Sequence, residues 1–144
     1  MWITPITDRT LLDAQKAKEY WNRGFDNLTE SEKAEFMAGL KGSLNTQDLE
    51  RIQGNIKIIS DQLLLGLTVS AVPEFPNEFF FEEILFNISS IRNKYGTTTV
   101  PSVPINTYEK VNQIEELLKE VHDILINRFI YCGTGYYCGE DMLL

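Results

Sequence analysis

The feature that most constrains this chain is a stripe of apolar residues between Leu44 and Leu63. Asn45 and Thr46 are good helix N-caps, because their side-chain oxygens can accept a bond from an orphan backbone N–H. Beyond them Leu49, Ile52, Ile56, Ile59 and Leu63 recur at alternating intervals of three and four residues. That interval lays one continuous seam along a helix, with Glu50, Arg51, Lys57 and Asp61 off it. The same arrangement returns after Ile105-Asn106-Thr107, where Val111, Ile114, Leu118, Val121 and Leu125 follow the same spacing. Two copies of one helical unit imply a scaffold or interaction protein, with Leu49, Ile52 and Ile56 in one core matched by Val111, Ile114 and Leu118 in the other.

The remaining helices are read from caps and breakers. Residues 1–10 form an extended lead-in, kept out of helix by Pro5 and carrying Trp2 as an aromatic anchor. Thr10 caps a helix from Leu11 to Arg23, with Ala14, Ala17 and Trp21 inward and Gly24 as its stop. Thr29 and Glu32 spell a capping box that opens a short helix, with Phe36, Met37 and Leu40 turned to the core. Residues 68–76, with Pro73 and Pro76, form an extended connector. Asn77 to Tyr95 is a fourth helix along Phe80, Ile84, Ile88, Ile91 and Tyr95, widened by Phe79, Phe81, Leu85 and Phe86. So broad a face implies burial between two other elements. A second connector leads to a fifth helix, about Thr107 to Phe129.

The fold expected is therefore mainly α: about five helices in two repeat-like halves, 1–67 and 77–129, joined by the connector 68–76. Residues 130–144 form a C-terminal β arm, which repeats Tyr-Cys-Gly six residues apart. Six is an even interval, so in one extended strand Cys132 and Cys138 share a face, while a hairpin around Gly135 sets them opposite each other. Tyr131, Tyr136 and Tyr137 make that arm a candidate subunit contact, as Trp2 does at the other end, because aromatics are enriched where proteins meet.

Composition narrows the function. A net charge of −8 argues against nucleic acid and against an anionic membrane, both of which call for clustered Lys and Arg. Apolar runs such as Leu63-Leu64-Leu65 are too short to span a bilayer, and no cationic start with an apolar stretch behind it marks a signal peptide. The one histidine, His122, neighbours Asp123, but adjacent helical residues point about 100° apart and do not form a dyad. No phosphate loop, nucleophile elbow or metal-spaced cluster occurs, so neither catalysis nor a cofactor or metal is expected. Glu30, Glu32, Glu35, Glu115, Glu116 and Glu120 are read as first-turn or polar-face residues that keep the helices solvated.

Several short stretches resemble structural proteins of phages and prophages of Gram-positive bacteria, in components associated with tail fibres and baseplates. The likeness rests on Trp2, Pro5 and Thr7-Asp8-Arg9-Thr10, then Asn27-Leu28-Thr29, Glu32-Lys33 and Phe36. It continues through Leu44-Asn45, Asp48-Leu49, Arg51-Ile52 and Asn55, and in the second unit through Asn112 and Glu115. Glu50 stands where the pattern has Asn, and Gln53 where it has Glu. The resemblance implies a virion structural subunit, a small tail or baseplate/tail-fibre connector, made in the host cytoplasm and carried in the virion. Its implied partners are other tail proteins and copies of itself. A different reading of the same acidity and size is a cytosolic helical regulator of the antitoxin or immunity type.

Overall fold

In a computed structural model, the structure describes residues 1–95, 99–102 and 104–134, with side chains as far as residue 127. It contains α1 (Leu11–Arg23), α2 (Glu30–Ala38), α3 (Thr46–Leu63), α4 (Glu78–Tyr95) and α5 (Tyr108–Thr134), with a short 3-10 turn at Phe25–Asn27. The chain is mainly helical, and no strand occurs among the described residues. The expected C-terminal β arm starts at residue 130, but α5 runs on to Thr134, and the rest of that arm lies outside the described residues.

Local chemistry accounts for the helix starts. Thr10 accepts a bond from Asp13 N while Asp13 Oδ2 accepts from Thr10 N, and Thr29 and Glu32 repeat the exchange at α2. These pairs satisfy donors that the first helical turn leaves without an internal partner. At α3 the N-cap Asn45 donates its backbone N–H to Asp48 Oδ2 at 2.9 Å. Gly24 and Gly39 end α1 and α2 at φ +81° and +96°, where a side chain would be strained.

The seams of α3 and α5 meet α4 in one core. Ile56, Ile59, Ile88, Ile91, Leu117 and Leu118 are all fully buried there. Ile52 and Ile114, at matching places in the two seams, are 2% and 1% exposed. The connector 68–76 runs alongside this shared core, with Val69 and Val72 partly buried against it. A smaller cluster of Ala17, Tyr20, Leu28 and Leu40, with Phe36 against it, joins α1 to α2.

Four inward assignments are overturned. Trp21 and Met37 are 68% and 74% exposed, because the small α1–α2 cluster is filled by Tyr20, Leu28 and Leu40 and has no further layer to receive them. Phe79 and Phe86 are 77% and 67% exposed. The α4 face that packs is the one carrying Phe80, Ile84, Ile88 and Ile91, and α3 and α5 both lie on that side.

Truncating Ile52 or Ile114 to Ala should cost about 2–5 kcal/mol, the usual range for large-to-small changes at buried sites. Gly54 lies within α3 with open space where a Cβ would go. Gly54→Ala should therefore add up to about 1 kcal/mol of stability through helix propensity alone. Urea unfolding of the three variants checks both signs.

Candidate functional site

The polar residues beside the two seams face a common occupant, the chain's own lead-in. On α3 they are Asp48, Arg51 and Asn55, and on α5 Asn112, Glu115 and His122. The α3 set is spaced three and four residues and the α5 set three and seven, so each keeps to one side of its helix and forms a second stripe next to the apolar one. Between the stripes lie residues 2–9.

Two asparagines hold the lead-in as a neighbouring strand would. Asn55 Nδ2 donates to Ile3 O at 2.7 Å, and its Oδ1 accepts from Ile3 N at 3.1 Å. Asn112 does the same to Arg9, donating to its carbonyl at 2.9 Å and accepting from its N–H at 3.3 Å. An extended backbone has no partners of its own, so these paired bonds meet a need that a helix meets internally. Pro5, buried between the two attachment points, has no N–H to leave unmatched.

Arg9 then enters a closed lattice of four charges. Its Nη1 donates to Glu115 Oε2 at 2.6 Å and its Nη2 to Asp48 Oδ1 at 3.1 Å. Arg51 grips Glu115 with a bidentate fork, Nε to Oε1 at 2.6 Å and Nη2 to Oε2 at 3.0 Å, and also reaches Asp48 Oδ1 at 2.7 Å. Ile6 N adds a further bond to Glu115 Oε1 at 3.2 Å. Glu115 thus accepts four bonds, which fills the acceptor sites of a carboxylate. Its side chain is 0% exposed, and those of Arg9, Asp48 and Arg51 are 3%, 8% and 9% exposed. Burial works against the charge of Arg51, but the bonds to Glu115 and Asp48 prevail and its pKa is raised. The polar-face reading of Glu115 is therefore corrected, since its side chain is interior; Arg51 lies off the apolar seam as expected, and is buried there by its partners.

At the far end of the lead-in, Trp2 stacks on His122, with ring centroids 3.7 Å apart and planes 3° from parallel. Burial lowers the His122 pKa below its ordinary value, with Asp123 opposing the shift. Trp2, expected as a contact between subunits, lies on its own α5 and is partly buried against the core. The side chains of Tyr131, Tyr136, Tyr137, Cys132 and Cys138 are not among those described.

Gln53 fastens the connector. Its Nε2 donates to Ser70 O at 2.8 Å, anchoring the connector to α3. Ser70 in turn donates through N and Oγ to Glu83. Burial pushes the Glu83 carboxyl up, yet these bonds and one from Gln53 hold it below its usual range. A glutamate at position 53 could not donate and would add a second carboxylate beside Glu83.

Chemically the lattice is a lock rather than a reaction centre, since each carboxylate oxygen is occupied by a fixed donor. Among the described residues no group of three or more His, Cys, Asp or Glu stands placed to hold a metal ion, and no helix is long and apolar enough to cross a membrane. No protein-family model, curated protein or solved structure matches the chain.

The stripes were legible in principle, because Asn55 falls three residues after Ile52 and Glu115 four after Val111, on the edge of an apolar seam. Nothing in the spacing said what would cover them.

Replacing Arg9 by Met should cost about 3–5 kcal/mol, because it leaves Glu115 and Asp48 sharing one arginine inside the protein. Arg9→Lys should recover only part of that, as an ammonium cannot span both carboxylates in a fixed fork. Thermal melts of the two variants give the comparison. A lowered folded-state pKa means that the Trp2–His122 contact loses stability as pH falls through the ordinary histidine range near 6.5. In Trp2→Ala the His122 titration, followed by NMR, should move up toward that value.

Proposed function

We propose that this protein is a small phage virion subunit, a tail or baseplate/tail-fibre connector that works by protein–protein assembly. One observation carries the reading. The residues through which the sequence resembles phage structural proteins are scattered along the chain, yet Trp2, Pro5, Arg9, Asp48, Arg51, Asn55, Asn112 and Glu115 meet in the single seat that locks the lead-in. A likeness confined to helix caps and apolar spacing would have no reason to include them. Their convergence supports treating the motif as the signature of one architecture, and the resemblance supplies the role.

The acid charge and the fully occupied carboxylates of the lattice fit an assembly partner made of protein. The test is to tag the chain in a producing strain, purify particles on a density gradient and quantify the chain by mass spectrometry. The expected result is co-sedimentation with tails at a fixed copy number per particle. A chain found only in the cytosolic fraction, bound one-to-one to a single protein, would sink the proposal and favour a regulator.

A further inference from the structure

We propose that the outer face of α4, with the turn that follows α3, is a docking surface for a basic amphipathic helix of a partner protein. Phe79 and Phe86 stand on this face 77% and 67% exposed. They are seven residues apart, which is two helical turns or about 10.5 Å. Beside Phe86 runs a groove of about 430 Å³ lined by Leu65, Leu67, Thr68, Glu83, Asn87 and Ser90. Among the described residues nothing covers the two rings.

A second observation points to the same place. Leu64 caps α3 in the left-handed conformation, φ 55° and ψ 40°, and holds its side chain 81% exposed. Glycine would adopt that backbone without strain and is the common residue there. An apolar side chain is thus kept, against the local backbone preference, directly before the residues that line the groove. Single exposed apolar residues need no explanation, but a paired aromatic face, a groove and a strained leucine next to it form a patch.

Charge selects the occupant. Residues 58–91 contain Asp61, Glu74, Glu78, Glu82 and Glu83 and no lysine or arginine. Glu82 and Glu83 lie between Phe79 and Phe86 on the same side of α4. A second copy brought face to face would set these carboxylates against each other, and nucleic acid or an anionic membrane would be repelled. A helix with apolar anchors one or two turns apart and Lys or Arg flanking them meets both demands, the cations reaching Glu82 and Glu83 and the faces of the phenylalanine rings. The inference stands on this face alone and does not depend on which assembly the protein joins.

The experiment uses the full chain and two short amphipathic helical peptides as probes, one built of leucine and lysine, the other of leucine and glutamate. Fluorescence anisotropy should show saturable binding of one Leu/Lys peptide per chain and no binding of the Leu/Glu peptide. Phe79→Ser/Phe86→Ser should weaken binding by about tenfold or more, the loss of one or two apolar anchors. The melting temperature should hold, since both rings are already exposed. Glu82→Lys should weaken binding as well, and Trp21→Ser/Met37→Ser, at exposed apolar residues of α1 and α2, should leave it unchanged. Equal binding by the double phenylalanine variant would overturn the proposal, leaving only attraction to the whole acidic chain. So would a dimer that dissolves in that variant, or binding that appears only once residues 135–144 are removed.

Discussion

The structure depends on keeping one carboxylate, that of Glu115, charged and dry. An ionised carboxylate taken out of water is costly unless opposite charge and hydrogen bonds replace its solvation. Here the replacement reaches α5 from two other elements: Arg51 on α3, and Arg9 with the backbone N–H of Ile6 on the lead-in. None of the three elements can move without stripping a bond from the others. Asp48 ties the lattice to the start of α3, because one oxygen takes both arginines while the other takes the N–H of Asn45. The four charges sum to zero, so the lattice can be buried whole but not in part.

Such a lattice is not the main source of stability. Apolar side chains of similar volume often do as well or better in the same space. What it adds is position. The apolar seams would accept many coverings, since burial of apolar surface has no direction. Arg9, Asn55 and Asn112 accept the lead-in in one register only, and a slip of one residue would turn Arg9 away from both carboxylates. The helices are held together by their seams, and the lead-in is held in place by the stripes beside them.

This division explains what could be read from the sequence. Helix starts and the alternation of Leu, Ile and Val are local facts, so α1 to α5 and the burial of Ile52 and Ile114 could be read from short windows. Burial of polar residues is not local. The spacing sets Glu115 and Arg51 at the edge of a seam, but their charge reads as surface, because the partners that make their burial tolerable lie 106 and 64 residues away. Exposure is equally non-local. Phe79 and Phe86 carry the apolar character of a core, and only the side of α4 chosen by α3 and α5 leaves them outside. Trp2 shows the converse, an aromatic with no helix of its own whose place is set by the ring of His122.

The 106-residue separation between Arg9 and Glu115 also bears on how the chain is made. At roughly 5–20 residues per second on the ribosome, Arg9 exists for about 5–20 s before its carboxylate partner is synthesised. During that interval α3 can form, but Arg51 and Asp48 have no complete lattice to enter and the lead-in has half a seat. The lead-in can take its full set of bonds only after α5 has been made. Loop closure over such a span is entropically expensive and tends to slow folding. The clasp can therefore close in full only once α5 is present to supply Glu115 and Asn112.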